Sequence, residues 1–188
     1  MSKVTPSFYE RYLFQENSGL SDFQKNMVYS EVKETILLGG RASGKTMALV
    51  HSILLNMTFP NTSIVVAASE MQDIKDIFSM FIGLLDKYQL TNYLFKDVRA
   101  PYHKIIFQNK SSIVGIKLND VSMGGIEFDI LYLENAQRIS FDTYKSTALP
   151  VIHCCPDYKL YITGTFDGTT VSNNVLSHYI MKAIKETK

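Results

Sequence analysis

The apolar residues of the chain follow two kinds of pattern, and together these patterns predict an α/β fold. Near-continuous apolar runs, typical of strands buried on both faces of a parallel sheet, occur at 36–38, 63–68, 128–133 and 159–163. Apolar residues at helical spacing predict helices at 47–57, 70–90, 140–149 and 173–188. Since strands and helices alternate along the chain, we expect a mostly parallel sheet with helices on both faces.

Local signals refine the connections between these elements. Two strands are predicted on either side of Asn109-Lys110, within 102–118, and they are expected to form a β-hairpin. Pro150 is expected to end the helix at 140–149, because proline removes a backbone donor. Either Ser21 or Asp22 is a candidate N-cap for a helix that begins near residue 22.

Length, charge and cysteine content limit the classes of protein to which the chain can belong. Its 188 residues, 46% of them hydrophobic, predict a single domain over 1–188, and the net charge of +1 neither favours nor excludes nucleic acid. No apolar run is long enough to span a membrane, and the N-terminus lacks the apolar core of an export signal. The adjacent Cys154 and Cys155 cannot form a long-range disulfide, which fits a reducing cytoplasm.

The segment between the first strand and the helix at 47–57 matches G-x-x-x-x-G-K-T, the phosphate-binding loop pattern. Its residues are Gly39, Gly40, Arg41, Ala42, Ser43, Gly44, Lys45 and Thr46. Gly39 and Gly44 let the backbone curl so that consecutive N–H groups point at phosphate oxygens, and the helix N-terminus adds its positive dipole end. Lys45 is expected to reach the β- and γ-phosphates, and the Thr46 hydroxyl to ligate Mg²⁺. The order strand, glycine loop, helix favours a nucleotide site over an ordinary glycine turn.

A carboxylate that completes such a site is expected at the carboxyl end of another strand. Glu134 follows the apolar run at 128–133 directly, and we expect it to hold Mg²⁺ through water, on a strand beside the loop strand. Asp129 lies at the other end of that run, roughly 16 Å away, and points to the opposite face, so it is excluded. Gln24 lies 15 residues before the loop. Its amide can present a donor and an acceptor to adenine, although a solvated glutamine is the alternative.

Four motifs in a fixed order resemble the ATPase domain of the large terminase subunit, the motor that packages DNA into the heads of tailed phages. They are Phe23-Gln24, GGRASGKT at 39–46, GGIEFDILYLENAQRI at 124–139 and YITGTFDG at 161–168. The resemblance covers nearly the whole chain, and the ordered set is its specific part. It implies a P-loop NTPase fold of the RecA/ASCE-like class. In this fold an extra strand lies between the strand before the phosphate loop (the Walker A strand) and the strand before Glu134 (the Walker B strand). It also implies ATP and Mg²⁺ as cofactors.

The resemblance assigns roles to individual residues. Gln24 corresponds to the glutamine that contacts adenine, and Arg41 to an arginine within the loop that senses or stabilises the γ-phosphate. Glu134 corresponds to the Walker B acid. The coupling motif, which links hydrolysis to movement, corresponds to Thr163, Gly164 and Thr165.

Two departures from the family pattern lower the expected rate of hydrolysis without affecting binding. Asn135 stands where the family has a glutamate that activates the attacking water, and Gly124 stands before Gly125 where an arginine finger is common. The neutral amide of Asn135 therefore occupies the expected catalytic position. The other residues expected to take part in catalysis are Arg41, Lys45 and Glu134. Two acids, Glu127 and Asp167, are candidates to replace the missing glutamate. Glu127 precedes the strand and so lies at its wrong end, which leaves Asp167.

The resemblance further implies partners and a location. The implied partners are double-stranded DNA, a portal protein, a small terminase subunit and a C-terminal nuclease domain that this sequence does not contain. The chain is expected to form a homo-oligomeric ring on the portal and to be a monomer in isolation. A phage protein without an export signal is expected in the host cytoplasm. Two alternatives stay open: a helicase-like translocase, which needs a second RecA-like domain, and a nucleotide-binding switch that does not hydrolyse ATP, which Asn135 and Gly124 favour.

Overall fold

The computed structural model describes residues 19–98, 103–118, 123–155, 157–165 and 173–186. Within these residues the strands are β1 (Glu34–Leu38), β2 (Ser63–Ala68), β3 (Leu94–Val98), β4 (Lys104–Phe107), β5 (Ser112–Lys117), β6 (Ile130–Leu133) and β7 (Lys159–Gly164). The α-helices are α1 (Asp22–Val28), α2 (Lys45–Met57), α3 (Met71–Lys87), α4 (Phe141–Thr147), α5 (Leu149–Cys154) and α6 (Val175–Glu186). Short 3-10 helices span Thr91–Tyr93 and Ala136–Arg138.

The strands form one sheet in the order β1-β7-β6-β2-β5-β4-β3. The first five strands in this order are parallel, and β4 and β3 are added antiparallel at one edge. The hairpin predicted around Asn109-Lys110 is confirmed as β4 and β5. The predicted α/β class with a mostly parallel sheet is likewise confirmed.

Helices cover both faces of the sheet because alternate side chains of each buried strand point to opposite sides. On one face, α2 and α3 pack against Tyr132 and Tyr161, whose rings stack with centroids 4.8 Å apart. On the other face, α4, α5 and α6 pack against Leu131, Leu133 and Ile162. The residues of β6 are buried on both faces, as the continuous apolar run predicted.

The sheet brings three strand ends together at one edge. Leu38 of β1 is in register with Gly164 of β7, and Leu133 of β6 is in register with Ile162. Because β7 lies between β1, which precedes the phosphate loop, and β6, which precedes Glu134, the expected extra strand is confirmed. The expectation that Glu134 follows a strand directly beside the loop strand is wrong, because the inserted strand is the one that ends in Gly164.

Some element boundaries differ from the prediction for local reasons. The helix after the loop begins at Lys45 rather than at residue 47, because Gly44 serves as its N-cap in the left-handed conformation. The helix predicted at 140–149 is two helices, and Pro150 lies in the first turn of the second, where a missing N–H costs nothing. Strand β3 was not predicted. No helix in the described ranges combines the length and apolar character needed to cross a bilayer.

Candidate nucleotide-binding site

The loop between β1 and α2 curls at residues that tolerate unusual backbone conformations. Gly44 has φ of 80°, and a Cβ there would lie 2.3 Å from Nε2 of Gln24, so both conformation and space require glycine. Ala42 also has a positive φ of 57°, which costs roughly 1–2 kcal/mol in a residue with a Cβ. A backbone held in this way turns consecutive N–H groups toward one side, the arrangement that receives phosphate oxygens.

The Lys45 ammonium lies inside this curl. Its Nζ donates to the carbonyl oxygens of Gly39 at 3.1 Å and Gly40 at 2.6 Å, and to Oγ of Ser43 at 3.3 Å. Only 8% of the residue is exposed. Burial lowers the pKa of Lys45, while the nearby Glu134 carboxylate raises it. The oxygens that accept hydrogen bonds from Lys45 Nζ are all neutral. The buried ammonium can therefore bind an anion.

Glu134 lies between the hydroxyls of two threonines at the end of β6. Thr46 Oγ1 donates to its Oε1 at 2.7 Å, and the Thr163 hydroxyl donates to its Oε2. Burial, which leaves 3% of the residue exposed, is the largest influence and raises the pKa of Glu134. The bonds from Thr163 and Thr46 oppose that shift, as does Lys45, whereas Asp73 adds to it.

The pair formed by Thr46 and Glu134 fits a magnesium ion. Mg²⁺ prefers oxygen ligands and is usually held by one or two carboxylates together with substrate phosphates and water. A hydroxyl oxygen and a carboxylate oxygen stand side by side here, next to the phosphate loop. Among the described residues no group of three or more His, Cys, Asp or Glu side chains is placed to hold a metal alone.

An open cleft of about 770 Å³ lies over the loop, within the size range of small-molecule sites. Its lining residues are Arg41, Ala42, Ser43, Gly44, Lys45, Thr46, Met47, Met80, Asn135, Gln137, Arg138 and Thr165. The cleft therefore joins the loop to the segments that follow β6 and β7. The remaining predicted residues adjoin it: Glu134 and Thr163 lie behind Thr46, and the Gly39 N–H donates to the Gly164 carbonyl at 3.3 Å.

Asn135 lies on the wall of the cleft in the left-handed conformation, with φ of 51° and ψ of 47°. Asparagine adopts this conformation more readily than most residues, and it begins the 3-10 helix that follows. The backbone N–H of Asn135 donates to Thr163 Oγ1 at 3.4 Å. Asp167, the proposed substitute for the missing acid, lies outside the described residues. Glu127 is exposed and lines a different cleft, with Asp129.

Gln24 is buried behind the loop, with 9% exposed, so the solvated alternative is wrong. Its Oε1 accepts from the Ser21 N–H at 2.8 Å, which completes a capping box at the start of α1 and identifies Ser21 as the N-cap. Its Nε2 donates to the Gly44 carbonyl at 3.0 Å. Both ends of the amide thus support α1 and the loop, and the contact with adenine stays a prediction.

Gln137 is a cleft residue that the sequence reasoning missed. Its Oε1 accepts from the Thr165 N–H at 3.1 Å, and its Nε2 donates to Asn135 Oδ1 at 3.3 Å. Arg138, also missed, adds a second arginine to the cleft beside Arg41 and lies 3.8 Å from Asp73 Oδ2. Both follow Asn135 within three positions and lie in the motif at 124–139, so their closeness to Glu134 and Asn135 was the available signal.

The buried Glu134 carboxylate leads to a prediction about stability. Because its pKa is raised in the folded chain, the folded state binds more protons than the unfolded state above the ordinary glutamate value of 4.5. The ionised carboxylate therefore lowers stability at neutral pH. Glu134→Gln is expected to raise the free energy of unfolding at neutral pH, measured by urea denaturation, and to lose that advantage as the pH falls below 4.5.

The exposed Glu127 provides a control, because Glu127→Gln changes the net charge equally and is expected to alter stability by less than about 0.5 kcal/mol. A Glu134→Gln variant whose stability relative to the parent is the same on both sides of that pH would show that burial of the carboxylate carries no cost.

Solved structures of phage large terminases share this fold. The large terminase of HK97 bacteriophage superposes with a TM-score of 0.73 at 17% sequence identity, over 90% of this chain and 37% of that one. The ATPase domain of the Thermus phage P74-26 large terminase gives 0.64 at 17% identity, over 90% and 72%. The large terminase of another thermophilic bacteriophage, solved in complex with ADP, gives 0.58 at 18% identity, over 77% and 38%.

Neither protein-family models nor the sequences of curated proteins match the chain. The structural likeness covers 90% of this chain for the first two of these structures, and it bears out the α/β class with a mostly parallel sheet. This chain has the fold of the ATPase domain of phage large terminases, and it spans 37% of the length of the HK97 protein.

Proposed function

We propose that this chain is the ATP-binding and slowly ATP-hydrolysing motor domain of a viral DNA-packaging terminase large subunit. One observation carries the proposal: Lys45 and Thr46 line the same cleft, and the Thr46 hydroxyl is hydrogen-bonded to the buried Glu134 carboxylate. A cation for phosphates beside a hydroxyl and a carboxylate for a metal is the arrangement that phosphoryl transfer from a nucleoside triphosphate requires.

Each residue of the cleft has a distinct part in this function. The N–H groups of the loop and the start of α2 receive the phosphates, and Lys45 shifts from the loop carbonyls to phosphate oxygens. Thr46 and Glu134 hold Mg²⁺, which when bound neutralises charge on the phosphates. Arg41 lies in the loop and lines the cleft, which supports the proposed role of its guanidinium in stabilising the charge that develops on the γ-phosphate.

The end of β6 supplies the position from which water attacks. Asn135 lies there with a carboxamide oxygen that orients water but is a very poor base. Positioning still contributes to catalysis, since the transition state of phosphoryl transfer is loose. Slow turnover, rather than none, is therefore proposed. Thr163 and Gly164 end β7, and Thr165 lines the cleft directly after them. These three residues are proposed to couple hydrolysis to movement.

The proposed partners follow from the proposed function. A packaging motor engages double-stranded DNA, a portal protein, a small terminase subunit and a nuclease domain, and it works as a ring on the portal in the host cytoplasm. These proposals depend on the likeness to the terminases. The isolated chain is proposed to be a monomer.

A non-hydrolysing nucleotide switch is the second candidate function, and Asn135 favours it. Phosphate release under saturating Mg·ATP separates the two. We expect slow release by the parent and none by Glu134→Gln, because that variant loses the carboxylate for the metal. Binding without any release would favour the switch. Equal release by parent and variant would exclude this cleft as the source of the activity.

A further inference from the structure

The side chain of Gln137 connects residues that follow two different strands. It belongs to the 3-10 helix Ala136–Arg138 after β6, and it lies on the wall of the cleft. Its Nε2 donates to Asn135 Oδ1 at 3.3 Å, while its Oε1 accepts from the backbone N–H of Thr165 at 3.1 Å. One planar amide thus joins Asn135, at the end of β6, to Thr165, just after β7.

These two bonds extend a chain of hydrogen bonds that starts at the metal pair. Thr46 and Thr163 both donate to Glu134, and Thr163 Oγ1 also accepts from the Asn135 N–H at 3.4 Å. Gln137 then carries the chain from Asn135 to Thr165. The network therefore runs from the phosphate loop through the end of β6 to the segment after β7, along one side of the cleft.

The bond to Asn135 fixes which atom of its carboxamide faces which neighbour. A carbonyl oxygen has two lone pairs, so Asn135 Oδ1 can accept from Gln137 and still accept from a water. The backbone reinforces this arrangement, because Arg138 N–H donates to the Asn135 carbonyl at 2.8 Å and turns Gln137 back over Asn135. Without the glutamine, the carboxamide is free to rotate about its terminal torsion.

The place of this network relative to a nucleotide follows from the loop. If Lys45 held the β-phosphate and Thr46 and Glu134 held Mg²⁺, a γ-phosphate would extend from there toward Asn135 and Thr165, which line the same cleft. A diphosphate does not reach that region. Contacts made through Asn135 and Thr165 are thus available to a triphosphate and not to a diphosphate.

We propose that Gln137 is the positioning residue by which this site distinguishes a nucleoside triphosphate from a diphosphate, and that it acts through Asn135. This inference rests on the proposed function of the cleft. It explains why the Gln137 amide donates to Asn135 and accepts from Thr165, although among the described residues Gln137 is hydrogen-bonded to neither the phosphate loop nor the pair of Thr46 and Glu134.

The test measures dissociation constants for Mg·ADP and for the non-hydrolysable Mg·AMP-PNP by calorimetry. Gln137→Met keeps the length of the side chain and removes both hydrogen bonds. It is expected to leave ADP affinity within about twofold of the parent and to lower the preference for the triphosphate about tenfold, the scale of one hydrogen bond. Gln72→Met, at an exposed glutamine on α3, is the matched control and is expected to change neither constant.

Two further variants separate positioning from simple structural support. Gln137→Glu retains an acceptor for Thr165 but loses the donor to Asn135, so it is expected to lose the triphosphate preference as well. Because Gln137 acts through Asn135, the double variant Gln137→Met with Asn135→Ala is expected to be no worse than Asn135→Ala alone.

An unchanged ratio of the two dissociation constants in both Gln137 variants would overturn the inference while leaving the proposed function intact. Additive effects in the double variant would also overturn it, since Gln137 would then act independently of Asn135. A parent that binds neither nucleotide would instead overturn the proposed function, and the inference with it.

Discussion

Replacing Asn135 with glutamate is expected to raise the rate of ATP turnover by on the order of 10²–10⁴-fold, the usual contribution of a general base. A carboxylate at this position accepts the proton of the attacking water, which an amide cannot do. The site already holds the side chain in place, because Gln137 Nε2 donates to Asn135 Oδ1 and a glutamate oxygen can accept the same bond. ATP affinity is expected to change little.

The backbone at residue 135 sets a cost for this substitution. Its φ of 51° suits asparagine, and glutamate there is expected to lower stability by about 1 kcal/mol. Turnover is therefore measured at saturating Mg·ATP, at a temperature where a denaturation curve shows the variant folded. Asp167→Ala is the companion variant and is expected to leave the parent rate unchanged. If the parent already turns over ATP rapidly and Asn135→Glu adds nothing, the catalytic position has been assigned to the wrong residue.

The sequence predicted the features that depend on short-range physical signals. Strand β2 was predicted at 63–68, where it lies, because a continuous apolar run between polar turns has one good solution in a buried sheet. The loop was predicted from the match of 39–46 to the phosphate-binding pattern, and the structure shows why glycine is required at Gly44, which combines a positive φ with the close approach of Gln24. Ser21 was one of two candidate caps, and its bond from the Gln24 N–H selects it.

Local signals in the sequence did not predict features that depend on long-range packing. Strand β3 has mostly exposed residues, with Phe95 73% exposed, so it lacks the apolar pattern of a buried strand and is held by its backbone pairing with β4. The insertion of β7 between β1 and β6 is a matter of sheet order, which no local signal encodes, and only the family resemblance implied it. Gln137 was missed because its role arises only when the segment after β7 comes within reach of its amide.

The site is assembled at a cost to the fold. Burial opposes the charge on both Lys45 and Glu134, and Ala42 holds a left-handed conformation that its Cβ disfavours. Features of this kind persist at functional sites, where they pre-organise the groups that meet a ligand. A ligand that brings phosphate to Lys45 and a metal to Glu134 relieves both electrostatic costs, so binding is expected to stabilise the chain.

Lys45→Ala is expected to weaken binding of Mg·ATP at least tenfold, which corresponds to roughly 1.4 kcal/mol or more. The ammonium lies within the curl of the loop, bonded to the Gly39 and Gly40 carbonyls, and its removal takes away the cation that faces the β- and γ-phosphates. Lys75→Ala, at an exposed lysine on α3, removes the same charge and is expected to keep the affinity of the parent.

Calorimetric titration of the parent, Lys45→Ala and Lys75→Ala with Mg·ATP tests the central claim, that this cleft is an ATP site. One saturable site per chain is expected in the parent and in Lys75→Ala, with a dissociation constant at least about tenfold higher in Lys45→Ala. Equal affinity of all three proteins, or no saturable binding by the parent, would contradict it.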